Sequence, residues 1–312
     1  MSKPKFNQKR LENFLQKVFP NAEIKSFEKF STGLVSPTFK VNLEKPSKLV
    51  VVKLGKIKNK NRIHQNNKIL NYLNDNKIPA PKVFLDGVFD KKFITVMEYL
   101  HGDVASKAYE RGNNLLRKNI LFNAGMNLRK IHLLEIPLFW AHQRHEVENQ
   151  REWKEWTRLR IDKYLFFFRE KFSEYYDFIE EKLNEFWEIL KNDEIDFVPL
   201  HWDYHLSNMN ANKNGEITGI FDFDNAMKGH NLADIGQTAY WTRFNLFDYG
   251  NFESFLKRYK NRFTEKEMKL IKGYFLLHLL AVSRSVWFKQ KRLGWIIDEH
   301  KLIIDEFKKG NI

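Results

Sequence analysis

Three polar side chains at a fixed spacing constrain this chain more than any other feature of its sequence. Asp203 is followed five residues later by Asn208, and Asp222 comes fourteen residues after that, directly behind the apolar run Gly219-Ile-Phe. Phosphoryl transfer requires a group that orients the attacking hydroxyl and oxygen ligands that hold Mg²⁺ against the nucleotide phosphates. One carboxylate and one amide carbonyl suffice, because Mg²⁺ keeps several waters. Each residue alone is typical of ordinary turns, but the combination predicts Asp203 as the orienting group and Asn208 and Asp222 as Mg²⁺ ligands.

The composition narrows the class of protein. A chain of 312 residues has room for two lobes. Because it contains no cysteine, disulfides, thiolate catalysis and cysteine-based zinc sites are excluded. No run approaches the roughly 18 apolar residues that would span a bilayer, and Met1–Phe6 lacks the apolar core of a signal peptide. We therefore expect a cytoplasmic protein that does not act at a membrane.

The net charge of +14 raises the question of nucleic-acid binding. The lysines are spread along the chain and often alternate with glutamate. The densest basic cluster, Lys53–Arg62, has no interleaved aromatic residues on which bases could stack. We therefore do not expect a nucleic acid to be the main partner.

Periodic segments in the first hundred residues predict a small sheet with helices. Apolar residues from Leu11 to Phe19 recur at helical spacing, and so do those of a second helix over residues 63–74, which ends before Pro79. Extended runs are predicted at Glu28–Ser31, Thr38–Leu43, Leu49–Leu54, Val83–Val88 and Phe93–Tyr99. The last two form a hairpin. The result is a sheet of about five strands with one helix inserted after the third.

The rest of the chain is mostly helical from about Leu116 onward. Residues 147–191 predict one or two long helices, whereas 198–223 contains short extended runs around the reactive residues. Thr264-Glu-Lys-Glu267 is a capping box that opens a helix through Val286. The simplest division is a sheet lobe over residues 1–99 and a helical lobe over residues 100–312.

The segment His201-Trp-Asp203-Tyr-His-Leu-Ser-Asn208, with Ile220-Phe-Asp222-Phe-Asp224, resembles the signature of the aminoglycoside phosphotransferase and choline kinase family. The similarity covers most of the chain and includes Leu49–Lys53, Ile78–Val83, Val96–Gly102, Leu128–His132 and Asn231–Ile235. Family members are small-molecule kinases. The resemblance implies an α+β, two-lobed, protein-kinase-like fold, with an N-terminal antiparallel sheet lobe carrying one key helix and a larger, mostly helical C-terminal lobe.

The resemblance also implies a site for ATP or GTP with Mg²⁺. Lys53 follows an apolar run, Leu49–Val52, that is typical of a buried strand. Its ammonium would bind the α- and β-phosphates as a point charge. The turn Ser31-Thr32-Gly33 would cover the phosphates, because glycine allows close approach of the backbone. Main-chain groups from Glu98 to Leu100 would pair with the base. The alternatives are a solvated lysine at a strand end and an ordinary hairpin turn.

Two residues depart from the family pattern. Asn66 stands where the family usually has a glutamate that pairs with the nucleotide lysine, so Lys53 would be held by an amide or by phosphate alone. Trp202 replaces the glycine that is most common between the histidine and the aspartate. Neither change affects the three residues closest to phosphoryl transfer, so we expect an active enzyme.

The acceptor is implied to be a small-molecule hydroxyl bound by the helical lobe. Acidic residues there would favour a polycationic aminoglycoside, and an aromatic cage would favour a quaternary ammonium such as choline. The chain offers both, although core packing also explains the aromatic residues: Asp298, Glu299, Tyr240, Trp241, Trp287 and Trp295. An aminoglycoside-type antibiotic is the first candidate. Choline, ethanolamine, another metabolite or a macrolide are alternatives, as is an inactive nucleotide-binding homologue.

Overall fold

Two compact units make up the computed structural model, which describes residues 8–30, 36–140, 147–246, 251–289 and 294–310. The first unit comprises residues 1–102 and 218–224, and the second comprises 103–217 and 225–312. The units are thus not separated by a single cut near residue 100, because a short segment that contains Asp222 returns to the first unit. No helix of the described residues is long and apolar enough to cross a membrane.

The first unit contains a five-stranded antiparallel sheet in the order β1-β2-β3-β5-β4. Its strands are β1 (Glu23–Lys29), β2 (Thr38–Lys45), β3 (Lys48–Lys56), β4 (Val83–Phe89) and β5 (Lys92–Glu98). Between β4 and β5, Asp90 and Lys91 both have positive φ, as a two-residue type I′ hairpin requires. The predicted sheet of five strands, including its hairpin, is confirmed.

Two helices accompany this sheet, α1 (Gln8–Leu15) and α2 (Lys60–Asp75). Alternation along β3 buries Val50 and Val52 in one core, to which α1 contributes Leu11, Phe14 and Leu15. The helix α1 is shorter than predicted, but Phe19 beyond its end still packs into this core. The helix α2 follows the third strand, as predicted.

The first strand begins at Glu23, five residues earlier than predicted. Its pairing with β2 shifts register between Glu23 and Ser26. This irregularity lets Ile24 and Phe27, three positions apart, both pack against the same core. The strand therefore lacks the period of two on which the sequence prediction depended.

The second unit is mostly helical, which confirms the predicted fold class. The long insertion of charged and aromatic residues forms two helices rather than one, because Phe172 leaves helical geometry. The helices are α3 (Ala105–Arg111), α4 (Asn114–His132), α5 (Gln150–Lys171), α6 (Ser173–Asn192), α7 (Asn231–Leu246), α8 (Phe252–Tyr259), α9 (Glu265–Lys289) and α10 (Gly294–Lys308). The capping box at α9 is present, since the Glu267 N–H donates to the Thr264 hydroxyl and the Thr264 N–H donates to the Glu267 carboxylate.

Short strands surround the reactive residues of the chain: β6 (Asp103–Val104), β7 (Phe197–Leu200), β8 (Met209–Ala211), β9 (Ile217–Ile220) and β10 (Met227–His230). In the second unit β7 pairs with β10, and β6 pairs with β8. The loop that contains Asp203 and Asn208 therefore begins at β7 and ends at β8. Asp222 lies two residues after the end of β9.

Candidate functional site

Asp203 lies in the loop after β7, with 27% of its side chain exposed. The His205 Nε2 atom is 3.4 Å from its Oδ1. Burial raises the pKa of Asp203, but the hydrogen bond and charge of His205, with a smaller contribution from His201, outweigh burial and hold the pKa below its ordinary value. The carboxylate is therefore ionised at neutral pH and can accept a hydrogen bond from an incoming hydroxyl.

Asp234, in the first turn of α7, binds the backbone of this loop. Its Oδ2 accepts the His201 N–H at 2.8 Å and its Oδ1 accepts the Trp202 N–H at 2.9 Å. The His132 Nε2 atom lies 3.3 Å from the same carboxylate, which is fully buried. A buried carboxylate requires such partners. Asp234 therefore fixes the backbone directly before Asp203.

Replacing Asp234 with asparagine is expected to lower the free energy of unfolding by about 2 kcal/mol, because the amide NH₂ would face a buried N–H donor. Thermal unfolding should show a melting temperature lowered by several degrees. The exposed Asp177→Asn on α6 is the matched control and should leave the melting temperature unchanged. An Asp234→Asn protein that is as stable as this control would contradict the role given to Asp234.

Trp202 adopts a left-handed backbone conformation with φ of 58°. This conformation costs a non-glycine residue about 1 kcal/mol, which gives a physical reason for the glycine usual at this position. The ring packs against Trp153 and Trp156, with ring centroids 5.6 and 5.5 Å away. The hydrogen bond to Asp234 and these ring contacts offset the backbone strain.

Asn208 ends the same loop in a single turn of 3₁₀ helix, Leu206–Asn208. Its Nδ2 donates to the Asp203 carbonyl at 3.0 Å and lies 3.3 Å from the His205 Nε2. The hydrogen bond to the Asp203 carbonyl uses the amide nitrogen, so the oxygen is the atom left for a ligand. A hard amide oxygen in this orientation fits Mg²⁺.

In the first unit, Lys53 lies on β3 and its Nζ is 3.8 Å from Asp222 Oδ1. Asp222 has a φ of 70° and a side chain that is 43% exposed. An accessible carboxylate with a lysine beside it fits a Mg²⁺–phosphate group, in which the metal takes the carboxylate and the ammonium takes phosphate oxygens.

Asn66 contacts the Asp222 segment and not Lys53. Its buried Oδ1 accepts the Phe223 N–H at 2.9 Å. Lys53 is thus paired with Asp222 instead of with the glutamate that the family usually has on this helix. The helix α2 binds the backbone that follows Asp222. The contacts of Asn66 do not support the prediction that its amide holds Lys53.

A polar row beside Lys53 was missed at the sequence level. The register pairs Lys53 with Thr95 and Thr95 with Asp86 across β3, β5 and β4. Asn67 of α2 donates to Asp86 at 2.9 Å and to Thr95 at 3.0 Å. The sequence shows these polar residues within otherwise apolar strands, and that was the signal available for predicting the row. Which of them lie side by side depends on the register of the strands.

Glu98 and Leu100, two of the remaining predicted nucleotide residues, lie at and just beyond the end of β5. The Glu98 N–H donates to the Lys82 carbonyl at 2.8 Å, so a contact with the base would use its carbonyl. The side chain of Leu100 lies against Gly219, so a side chain at position 219 would collide with Leu100. Ser31, Thr32 and Gly33 lie outside the described residues.

Asp224 follows Asp222 by two residues and is held by a different cation. Its Oδ2 is 3.4 Å from Arg62 of α2. Burial raises the pKa of Asp224, with Asp222 adding to this effect and Lys53 and Arg62 opposing it. Two cations and two carboxylates therefore alternate within this part of the first unit.

Comparison with protein families gives a match to the phosphotransferase enzyme family, APH, over residues 26–269. The match extends over most of the chain and includes Lys53, Asp203, Asn208 and Asp222. A search of the curated proteins finds no sequence that matches the chain.

Solved structures share the fold over nearly the whole chain. The GDP complex of aminoglycoside 2′-phosphotransferase-IIIa is 12% identical, with a TM-score of 0.68, and the alignment covers 98% of this chain and 100% of that one. A thermostable mutant of APH(4)-Ia with ADP and hygromycin B is 14% identical, with a TM-score of 0.67 and coverage of 95% and 98%. A protein proposed to be a fructosamine-3-kinase, from Haemophilus somnus 129PT, is 17% identical, with a TM-score of 0.63 and coverage of 96% of each chain. At these identities the likeness shows the fold.

Proposed function

Because the chain belongs to the phosphotransferase enzyme family and is a small-molecule kinase, we propose that it moves the γ-phosphoryl group of ATP or GTP to a hydroxyl of a small molecule. Asp203 orients the hydroxyl, Asn208 and Asp222 hold Mg²⁺, and Lys53 binds the nucleotide phosphates. The observation that carries this proposal is the environment of Asp203. Its carboxylate is ionised, and the buried carboxylate of Asp234 binds the backbone that precedes it. In a loose transition state such a group acts mainly through orientation.

Each unit holds its own residues for this chemistry. In the second unit, Asp203 and Asn208 are joined by a hydrogen bond within one loop. In the first, Lys53 and Asp222 form an ion pair. The Mg²⁺ would supply charge neutralisation at the β- and γ-phosphates. The presence of every required group favours an active enzyme over an inactive nucleotide-binding homologue.

The nucleotide and the acceptor are narrower proposals. The GDP and ADP complexes of the similar structures support a purine nucleoside triphosphate as donor. One of those proteins binds hygromycin B, which makes an aminoglycoside-type antibiotic the first acceptor to test. Ser31, Thr32 and Gly33 and the main chain from Glu98 to Leu100 remain predicted contacts to the nucleotide.

A screen for release of nucleoside diphosphate tests the function. The purified chain would be given ATP or GTP with Mg²⁺ and one acceptor at a time, including aminoglycosides, macrolides, choline, ethanolamine and sugars. We expect at least one acceptor to raise diphosphate release above the rate in water, and that increase to vanish in Asp203→Ala. Release that no acceptor increases, or that persists in this variant, would refute the proposal.

Asn66→Ala is expected to raise the Mg²⁺ concentration needed for half-maximal nucleotide binding by about tenfold. The change leaves the buried Phe223 N–H without its acceptor, so the neighbouring Asp222 loses its fixed position. Thermal shift with nucleotide at increasing Mg²⁺ measures this effect.

The matched control for Asn66→Ala is Asn71→Ala on the same helix. Asn71 bonds the backbone of Val83, so its loss changes packing between α2 and β4 without touching the Asp222 segment. Equal Mg²⁺ dependence in the two alanine variants would mean that Asn66 acts only through stability.

A further inference from the structure

Four buried polar atoms close to Asp203 have no hydrogen-bond partner in the described structure. They are His205 Nδ1, Gln237 Oε1, Trp241 Nε1 and His278 Nε2, and we call these residues the polar cluster. The rings of His205 and Trp241 are 5.2 Å apart, and those of Trp241 and His278 are 5.5 Å apart. Buried polar groups nearly always have partners. Four unpaired groups in contact beside the reactive carboxylate therefore indicate a place for a polar ligand.

The polar cluster supplies both hydrogen-bond donors and hydrogen-bond acceptors. Burial, with a smaller contribution from the charge of Arg160, lowers the pKa of His278 to about 3, so its ring is neutral. The Gln237 amide contacts His278 Nδ1 at 3.2 Å, which leaves Nε2 as the N–H donor. Indole nitrogen only donates, and the Gln237 carbonyl only accepts. Hydroxyl groups, which donate and accept, match this set.

Beside the polar cluster, Trp156, Trp202 and Arg160 form a surface that we call the aromatic wall. The Arg160 guanidinium lies 4.5 Å from the Trp156 ring centroid and 5.2 Å from that of Trp202. All three side chains are partly exposed. Arg160 contacts the Tyr164 hydroxyl at 3.5 Å, and no carboxylate of the described residues pairs with it. The wall thus offers flat apolar area next to a positive charge.

The carboxylates that could attract a cation here are engaged elsewhere. Glu299 and Glu306 both pair with Arg243, at 2.9 and 2.7 Å. Asp298 is exposed on α10, where it acts on Lys301. Asp234 is buried beneath the loop. Arg160, which contacts Trp202 beside Asp203, is therefore a positive charge near the acceptor that Asp234, Glu299 and Glu306 do not balance.

We infer that the acceptor is an uncharged, sugar-like polyol without an ammonium group, with an apolar face on the aromatic wall and hydroxyls on the polar cluster. This inference rests on the proposed function and narrows its acceptor from the aminoglycosides, which carry ammonium groups, to uncharged sugars. Arg160 disfavours a cationic acceptor, and Trp202 fixes the orientation of the sugar face. Both are specificity-determining residues of the second unit.

The test compares two compounds that differ only at one carbon, phenyl β-D-glucoside and its 6-amino-6-deoxy analogue, whose alkylamine is protonated at neutral pH. Their binding to the full chain is measured by calorimetry without nucleotide. We expect the glucoside to bind at least about tenfold more tightly, a difference of about 1.4 kcal/mol. Equal or tighter binding of the amino compound, or no detectable binding of either, would overturn the inference.

Charge reversal at Arg160 gives a second test of the same binding preference. Arg160→Glu should remove or reverse the preference for the glucoside, whereas Arg169→Glu, exposed on the same helix, should preserve it. Trp202→Gly relieves the left-handed strain, so it should keep the melting temperature while weakening glucoside binding severalfold. Binding unchanged in both Arg160→Glu and Trp202→Gly would also overturn the inference.

The outcomes for acceptor class and for function are separable. The calorimetric measurement contains no nucleotide, so its failure refutes the acceptor class alone. Phosphoryl transfer fails separately, when no acceptor of any charge gives diphosphate release that depends on Asp203.

Discussion

Asp203→Ala is expected to reduce phosphoryl transfer by about a hundredfold to ten-thousandfold, because general-base and orienting groups contribute roughly 10²–10⁴ in rate. Asp203 is ionised, lies beside His205 and is anchored through the backbone that Asp234 holds. Alanine removes the carboxylate that accepts a hydrogen bond from the attacking hydroxyl. It leaves the hydrogen bonds between the loop backbone and Asp234 in place. Nucleotide binding should therefore survive.

The measurement for Asp203 is acceptor-dependent release of nucleoside diphosphate, together with nucleotide thermal shift on the same preparation. Asp203→Asn retains the size of the side chain but loses the negative charge, so it should be nearly as inactive as alanine. Asp177→Ala, exposed on α6, should retain full activity. Transfer at the unaltered rate in Asp203→Ala would refute the mechanism.

Asp222→Ala is expected to abolish the Mg²⁺-dependent part of nucleotide binding and to lower turnover to the background rate. Asp222 supplies the charged oxygen among the two proposed Mg²⁺ ligands, and Mg²⁺ depends on such hard oxygen donors. The loss of one charged contact to a metal–phosphate group should weaken nucleotide binding by about a hundredfold, or about 2.7 kcal/mol. Lys53 would also lose its ion-pair partner.

Nucleotide titration by thermal shift, with Mg²⁺ and with a chelator, measures the effect at Asp222. In the unaltered protein the shift should be larger with Mg²⁺, and in Asp222→Ala the two curves should coincide. Asp75→Ala, exposed at the end of α2, is the control and should keep the difference. An undiminished Mg²⁺ effect in Asp222→Ala would assign the metal to other ligands.

The two variants together divide the chemistry between binding and transfer. Asp203→Ala should bind Mg²⁺–nucleotide but fail to transfer, whereas Asp222→Ala should fail at both. The same defect in both variants, with nucleotide binding lost, would mean that Asp203 contributes to the fold of its loop or to nucleotide binding rather than to the orientation of the hydroxyl.

Much of the fold follows from local patterns, and the exceptions have identifiable causes. The helix α2, the β4–β5 hairpin and the capping box of α9 were predicted because each depends on residues a few positions apart. The start of β1 was misplaced, since an irregular register there breaks the alternation of buried and exposed residues. Whether residues 147–191 form one helix or two depended on Phe172, whose buried ring packs at 4.5 Å against that of Phe168.

The sequence alone determined the kinase family, and it predicts Asp203, Asn208 and Asp222 as the reactive groups because their spacing can be read along the chain. Tertiary structure decided the partners of those groups. Asn66 binds the Phe223 backbone across 157 positions, and Trp202 lies against Trp156 of a helix that precedes it by more than thirty residues. Local periodicity specifies which face of an element is buried, but the partner of a polar or aromatic side chain depends on where the whole chain brings another element. The chemistry was therefore predictable from the sequence, whereas the support of Asp222 and the surroundings of the acceptor required the fold.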